Sequence, residues 1–240
     1  MLNAIELPQF LRDIIDFLKI DNIVLNFAGS GISALEIIST IIGLLCVFLA
    51  VRGKVANFWV GYIYNIVLFL LFLQKHLYSS MLLQPISLAI NFFGHYRWTH
   101  PRENEKNGEN RLKVTTYNNG QRAVIMGVVL TFMLIWGYFL SRVDIWFPAI
   151  FNKAQLPYLD AFVLGLVLTA QFLSAQKKLD CWYVWLLANS CNIVLCAMAG
   201  LKFLMIVYVA YFILAIGGLI MWRGQMKKEK EQEQRVKKQD

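Results

Sequence analysis

Apolar residues fill this chain in blocks of about 20, the length that carries a helix across a bilayer core. Seven blocks are read as crossings, at 30–51, 55–74, 79–98, 123–142, 158–175, 181–200 and 202–222. The fold class expected is an all-α membrane protein of seven transmembrane helices. Ahead of them the start of the chain is patterned differently. Leu11, Ile14, Ile15 and Leu18 recur at helical spacing, with Arg12, Asp13, Asp16 and Lys19 between them. That pattern predicts an N-terminal amphipathic helix lying at the membrane surface, and no cleavable signal peptide is visible. The segment 99–122 is polar and rich in Asn and Gly. The end from Arg223 is charged and is expected as a frayed helix or disordered tail.

The crossings repeat. Shifting the chain by 124 residues lays Glu36 on Asp160, Phe48-Leu49 on Phe172-Leu173, Lys54 on Lys178 and Asn65 on Asn189. The same shift lays Met81 on Met205, Gly94 on Gly218 and Trp98 on Trp222. Spans one to three thus map onto spans five to seven, with span four between. A single intervening crossing gives both halves one orientation, so the expectation is a 3+1+3 parallel pseudo-repeat about an axis along the membrane normal. A transporter of that kind binds its substrate at the midplane between the halves. The chain divides accordingly into 1–29 (amphipathic helix), 30–98 (first repeat), 99–157 (loop and linker helix), 158–222 (second repeat) and 223–240 (charged tail).

Several spans carry polar stripes. At about 100° per residue, Trp182, Trp185, Asn189 and Asn192 fall within about 80° of one another. Gln84, Ser87, Asn91, His95 and Trp98 make a similar sector on span three. Span two offers Phe58, Tyr62 and Asn65, with Trp59 beside them. Span five adds Asp160, Gln171 and Ser174, and span seven Tyr208 and Tyr211. An amide in a bilayer is costly unless it meets a partner or a water-filled cavity. A lone Asn is often helix glue, but matching stripes on several spans point to a lined cavity. Trp98, Trp146 and Trp222, at span ends, are read as interface anchors.

Composition agrees with the membrane reading: 58% of residues are hydrophobic and 16% charged, against about 25% charged in soluble domains. Of the 23 Lys and Arg, only Arg12, Lys19, Lys75, Arg142, Lys153 and Lys202 lie on the side of the N-terminus. The positive-inside rule then puts the N-terminus outside and the C-terminus in the cytoplasm. No basic patch with interleaved aromatics appears on a soluble domain, so a nucleic-acid partner is not expected.

Absences narrow the chemistry further. The acidic residues of the spans, Glu36 and Asp160, sit near their outer ends. Ion-coupled carriers usually hold charges or unwound helices at mid-membrane, and Pro85 stands alone as a helix breaker. A facilitator without ion coupling is expected. There is no Walker A sequence. Cys46, Cys181, Cys191 and Cys196 form no CxxC pair, and His76, His95 and His100 form no ligand set, so no metal, disulfide or cofactor is expected. No nucleophile–base set marks an enzyme.

The W-x2-W-x3-N-x2-N sequence at Trp182, Trp185, Asn189 and Asn192, with Trp59, Asn65 and the NFFGHYRW run from Asn91 to Trp98, resembles the PnuC family of bacterial vitamin transporters, and its nicotinamide riboside members in particular. The resemblance covers about residues 30–222. It implies a full-length relative of the SWEET architecture in the bacterial cytoplasmic membrane, a homotrimer, uptake by facilitated diffusion and trapping by a cytoplasmic kinase. On that reading Trp182 and Trp185 stack on or gate a flat cationic ring. Asn189, Asn192, Asn91, Gln84 and Gln171 hydrogen-bond the carboxamide and ribose. Trp59, Tyr62, Tyr208 and Tyr211 complete the aromatic walls, and Asn65 holds helices together. Thiamine or riboflavin is the alternative cargo, and a membrane-embedded sensor or enzyme the alternative class.

Overall fold

The computed structural model describes residues 8–27, 29–75, 78–107, 109, 111–147, 156–198 and 200–236. Seven long helices dominate it: α2 (Ala34–Val51), α3 (Ala56–Gln74), α4 (Tyr78–Thr99), α5 (Asn119–Trp146), α6 (Pro157–Ala175), α7 (Asp180–Met198) and α8 (Lys202–Val236), after a short helix α1 (Gln9–Phe17). Six of the seven are long and apolar enough to cross a membrane; α4 is the exception. Its hydropathy is lowered by the polar side chains read above as a stripe, Gln84, Ser87, Asn91 and His95, together with Arg97.

The start of the chain corrects one expectation. Residues 30–33 do not open the first span. They form β2 (Ser30–Ser33), paired antiparallel with β1 (Ile23–Phe27). Ile23, Val24 and Phe27 favour extended backbone, and Gly29 supplies a positive φ of 90° between the strands. The span begins at Ala34, capped by Ser33. Ser33 Oγ accepts from the Glu36 N–H, and the Glu36 carboxylate accepts from the Ser33 N–H at 2.9 Å, a reciprocal capping box. Of the amphipathic helix, the backbone of Gln9–Phe17 is helical; the side chains of Leu11, Arg12, Ile14 and Ile15 lie outside the described residues, as do His76 and Lys153.

At the other end α8 continues as helix far past the expected end of the span. Lys, Glu and Gln are good helix formers. Gln225 donates to Glu229 one turn on, and the loop between α4 and α5 docks against this extension. The buried Glu229 carboxylate accepts from Asn107 Nδ2 at 3.0 Å and from the Val114 N–H at 3.2 Å.

Each helix packs on its chain neighbour within the sets α2–α3–α4 and α6–α7–α8. Across the sets, α2 packs on α8 and α4 on α6, while α5 lies against α6. The turns joining α2 to α3 and α6 to α7 share one hydrogen-bond pattern. Gly53 N–H donates to Ala50 O and Lys54 N–H to Leu49 O; Lys177 N–H donates to Ser174 O and Lys178 N–H to Leu173 O. Gly53 (φ 64°) and Lys177 (φ 55°) both take the left-handed conformation that such a turn needs.

The main core lies at the end carrying these basic turns. Phe58, Trp98, Leu173, Trp182, Ala215 and Trp222 meet there with Leu112 and Val114 from the polar loop. This overturns the reading of Trp98 and Trp222 as interface anchors: both rings are buried. Loop 99–122 folds over them, which a span-end position alone does not reveal.

Candidate functional site

The α7 stripe is built by helical spacing, but its members meet different surroundings. Trp182 is enclosed: its ring meets Trp222 edge-on at 5.3 Å, and Gly218 leaves the gap it fills. Its buried indole N–H has no partner. Trp185, a turn deeper, is half-buried against the same core. Asn189 is 4% exposed, and among the described residues its side-chain amide makes no hydrogen bond. The enclosed side-chain atoms without a partner among the described residues are Asp144 Oδ1 and Trp182 Nε1, so the Asn189 amide, which is not one of them, keeps some accessible surface. Asn192, half-buried, donates to the Ala188 carbonyl one turn back at 3.1 Å.

Helix α3 solves the same problem internally. Asn65 is buried as well, and donates to the Gly61 carbonyl at 2.7 Å. Tyr62 Oη lies 2.8 Å from His95 Nδ1 on α4. Phe58 stacks on that imidazole at 5.6 Å and Trp59 meets it edge-on at 5.1 Å. Trp59 itself is 62% exposed, turned away from the Asn65 side of its helix. Asn91 donates to the Phe58 carbonyl at 3.0 Å, seated on Gly61. Gln84 is buried on α4. Gln171 is half-buried on α6, beside Phe172, which stacks on Phe93 of α4 at 5.8 Å.

Tyr208 and Tyr211 lie together on α8, ring centroids 6.3 Å apart, and Tyr211 Oη is 3.4 Å from Tyr64 Oη on α3. Tyr64 was missed in the sequence. Its signal was Gly43 on α2: the absent side chain there makes room for both the Tyr64 and Tyr211 hydroxyls. His95 was seen in the stripe but without its partner, because a helical wheel carries no information across helices. The structure thus brings Trp59, Tyr62 and His95 together, and Tyr64, Tyr208 and Tyr211 together. It places Trp182 inside the packed end of the bundle.

An open groove between α2 and α8 is lined by Leu44, Leu45, Phe48, Ala210, Ile213 and Leu214. With no polar lining it reads no hydrogen-bonding solute. The amides and rings of α3, α4, α6, α7 and α8 supply what a small polar aromatic molecule needs: flat faces, donors and acceptors. Lys177 is the one fully buried cation among the described residues, and it lies in the α6–α7 turn.

A family model described as nicotinamide mononucleotide transporter matches residues 33–224. The chain belongs to that family. It is therefore a multi-pass membrane transporter. It is 28% identical over 228 residues to the nicotinamide riboside transporter PnuC of Escherichia coli, covering 86% of this chain and 94% of that protein. It is 24% identical over 187 residues to the riboflavin/roseoflavin transporter RibM of Streptomyces davaonensis, covering 78% and 83%. The crystal structure of the vitamin B3 transporter PnuC superposes with a TM-score of 0.63 at 22% identity, covering 93% of this chain and 94% of that one. That likeness shows the fold.

Proposed function

We propose that the protein takes up nicotinamide riboside by facilitated diffusion through alternating access of two three-helix units. The observation that carries the site is Asn189: its residue is buried, its amide has no hydrogen-bond partner among the described residues and still keeps accessible surface, and it shares a face of α7 with Trp185. The carboxamide and ribose hydroxyls of the riboside supply the hydrogen bonds it lacks. The pyridinium ring, flat and cationic, suits the Trp and Tyr faces nearby. Trp185 then stacks on the ring, Gln84, Asn91, Asn192 and Gln171 add polar contacts, and Tyr62, Tyr208 and Tyr211 wall the path, with Trp182 and Trp59 at its margin.

The two-unit reading is supported by three features. The helix contacts map onto themselves when α2, α3 and α4 exchange with α6, α7 and α8. The two connecting turns share one bonding pattern. The Phe58–Gly94 and Trp182–Gly218 contacts fall at matching positions. The lysine and arginine distribution favours an N-terminus outside and a C-terminus in the cytoplasm of a bacterial inner membrane. On this reading α1, with Phe10 and Phe17 exposed, lies at the outer interface. Homotrimers and trapping by a cytoplasmic kinase follow from the resemblance to PnuC transporters. A carrier, not an enzyme, is the class proposed, with no ion or ATP drive.

The family is named for the mononucleotide, and its E. coli member for the riboside. A phosphate calls for Arg or Lys, and the stripes contain neither. The mononucleotide is therefore predicted to be refused. Calorimetry on purified protein tests this with nicotinamide riboside, its mononucleotide, thiamine and riboflavin. Binding of the riboside alone is the expected result. Riboflavin binding alone would move the chain to the side of its Streptomyces relative, and mononucleotide binding would overturn the phosphate argument.

A further inference from the structure

We propose that the crossed indole–carbonyl bonds of Trp98 and Trp222 are the gate that closes the basic end of the transport path, and that loop 99–122 locks it. The inference rests on the two-unit carrier reading above and adds the parts that must move.

Trp98, near the end of α4, donates its indole N–H to the Ser174 carbonyl of α6 at 3.2 Å. Trp222, on α8, donates in the opposite sense, to the Ala50 and Val51 carbonyls of α2 at 3.3 and 3.1 Å. Each bond leaves one three-helix unit and ends on the other. Both sets of acceptors lie in the last turn of a helix, and the Ala50 and Ser174 carbonyls share their acceptance with the turn N–H groups of Gly53 and Lys177. The two rings lie 5.8 Å apart. Each is met edge-on by a ring of its own unit, Phe58 on Trp98 at 5.1 Å and Trp182 on Trp222 at 5.3 Å. All four rings are buried. A plug of this kind passes no polar solute, so this end is shut in the present structure. Alternating access requires a bistable contact between the moving bodies, and these side-chain bonds join the two units at that end.

The loop belongs by chain to α4 but is stitched to the other unit. Thr115 N–H donates to Lys177 O at 3.3 Å and Leu179 N–H to Thr115 O at 2.8 Å. Asp180 accepts from the Tyr117 N–H at 2.9 Å and from Arg122 Nε at 2.7 Å. The Lys177 ammonium lies 5.2 Å from the Trp98 ring centroid and donates to the Leu112 carbonyl at 2.6 Å. Glu229 holds the far side of the loop to α8 through Asn107 and the Val114 N–H. The plug cannot part without loosening this strap.

Cys181, fully buried beside Trp182, is a built-in reporter. The test uses protein that keeps Cys181 and has Ala at Cys46, Cys191 and Cys196, in liposomes, with a membrane-impermeant maleimide. Trp98→Phe with Trp222→Phe keeps an aromatic ring at each position and removes both N–H donors, at some cost in packing. Labelling of Cys181 is expected to quicken about fivefold for each bond lost, since reaction tracks the open population, and by more than the fall in melting temperature accounts for. Glu229→Gln is expected to give a smaller increase. Labelling as slow as in the parent, with riboside uptake unaltered, would overturn the gate and leave the bonds as packing. The single Trp98→Phe variant carries the same comparison if the double variant does not fold. Calorimetry of the riboside on the parent is scored separately, so a wrong cargo and a wrong gate give different results.

Discussion

On the proposed two-unit reading, Asn65 and Asn189 occupy matching places and are treated in opposite ways. Both are buried. Asn65 spends its amide on the Gly61 carbonyl of its own helix, whereas Asn189 has no partner among the described residues. The neighbours differ to match. At the position of Gly61 the second unit has Trp185, and at the position of Asn91 it has Ala215. The first unit closes its polar groups on itself, with Asn91 seated on Gly61 and bonded to the Phe58 carbonyl. The second unit offers a tryptophan face beside an amide without a protein partner. On the proposed reading this pair of positions is frame in the first unit and ligand contact in the second, although the turns and glycine contacts around them are alike.

The largest expected effect separates these roles. Asn189→Ala removes the group proposed to bond the ligand. It is expected to weaken riboside affinity by about 10- to 100-fold, the range of one or two hydrogen bonds to a buried polar partner. Its thermal stability should hold, because the amide makes no hydrogen bond within the described residues that could be lost. Asn65→Ala should do the reverse, lowering stability by roughly 1 kcal/mol while leaving affinity within about threefold. Calorimetry and a melting curve on both variants decide it. Equal losses of affinity would erase the distinction and make both asparagines ligand contacts.

A second pair tests where the units are alike. A Cβ added at Gly94 would stand 2.6 Å from the Phe58 ring, and one at Gly218 would stand 2.5 Å from the Trp182 ring. Overpacking of this kind costs about 1–3 kcal/mol, so Gly94→Ala and Gly218→Ala should lower the melting temperature by similar amounts. A large loss at one site alone would show that the aromatic-on-glycine contact bears weight in only one unit.

Much of this frame was legible in the sequence. Blocks of about 20 apolar residues placed α2, α3, α5, α6 and α7 within a few residues, because the bilayer fixes the length, and placed the start of α8 but not its end at Val236. The seventh, α4, was placed as well, although its stripe keeps its hydropathy low. Angular arithmetic put Asn189 beside Trp185, since both lie on one helix. What crosses between helices was not legible. A wheel gives the direction of Asn91 on α4 but not the Phe58 carbonyl of α3 that accepts from it. Trp98 and Trp222 sit where interface tryptophans sit, and the packing of Phe58, Trp182 and the loop residues Leu112 and Val114 buries them. The β-hairpin was hidden because Ile23–Phe27 reads as a short apolar run, which periodicity cannot assign. The helical tail was hidden because its anchor, the bond from Asn107 to Glu229, joins residues 122 positions apart.

The smallest expected effect concerns the turns. Gly53 takes φ 64° at no steric cost, while Lys177 takes φ 55° with a Cβ. Such a conformation costs a non-glycine residue about 1 kcal/mol. Lys177 repays it through its ammonium, which bonds the Leu112 carbonyl and faces Trp98. That ammonium is buried, and burial pulls its pKa below the usual lysine value, with Glu229 partly opposing the shift. The unfolded chain therefore binds more protons than the folded one between the lowered pKa and the ordinary value near 10.5, so stability rises with pH across that window. Lys177→Met should flatten this rise and leave the turn strained. Lys177→Gly should flatten it too, but relieve the backbone, and so recover part of the stability that the methionine variant loses. Melting curves from neutral pH upward on the three proteins measure both effects. A slope that persists in the methionine variant would assign the pH response to another group, such as Lys178, whose pKa burial also lowers.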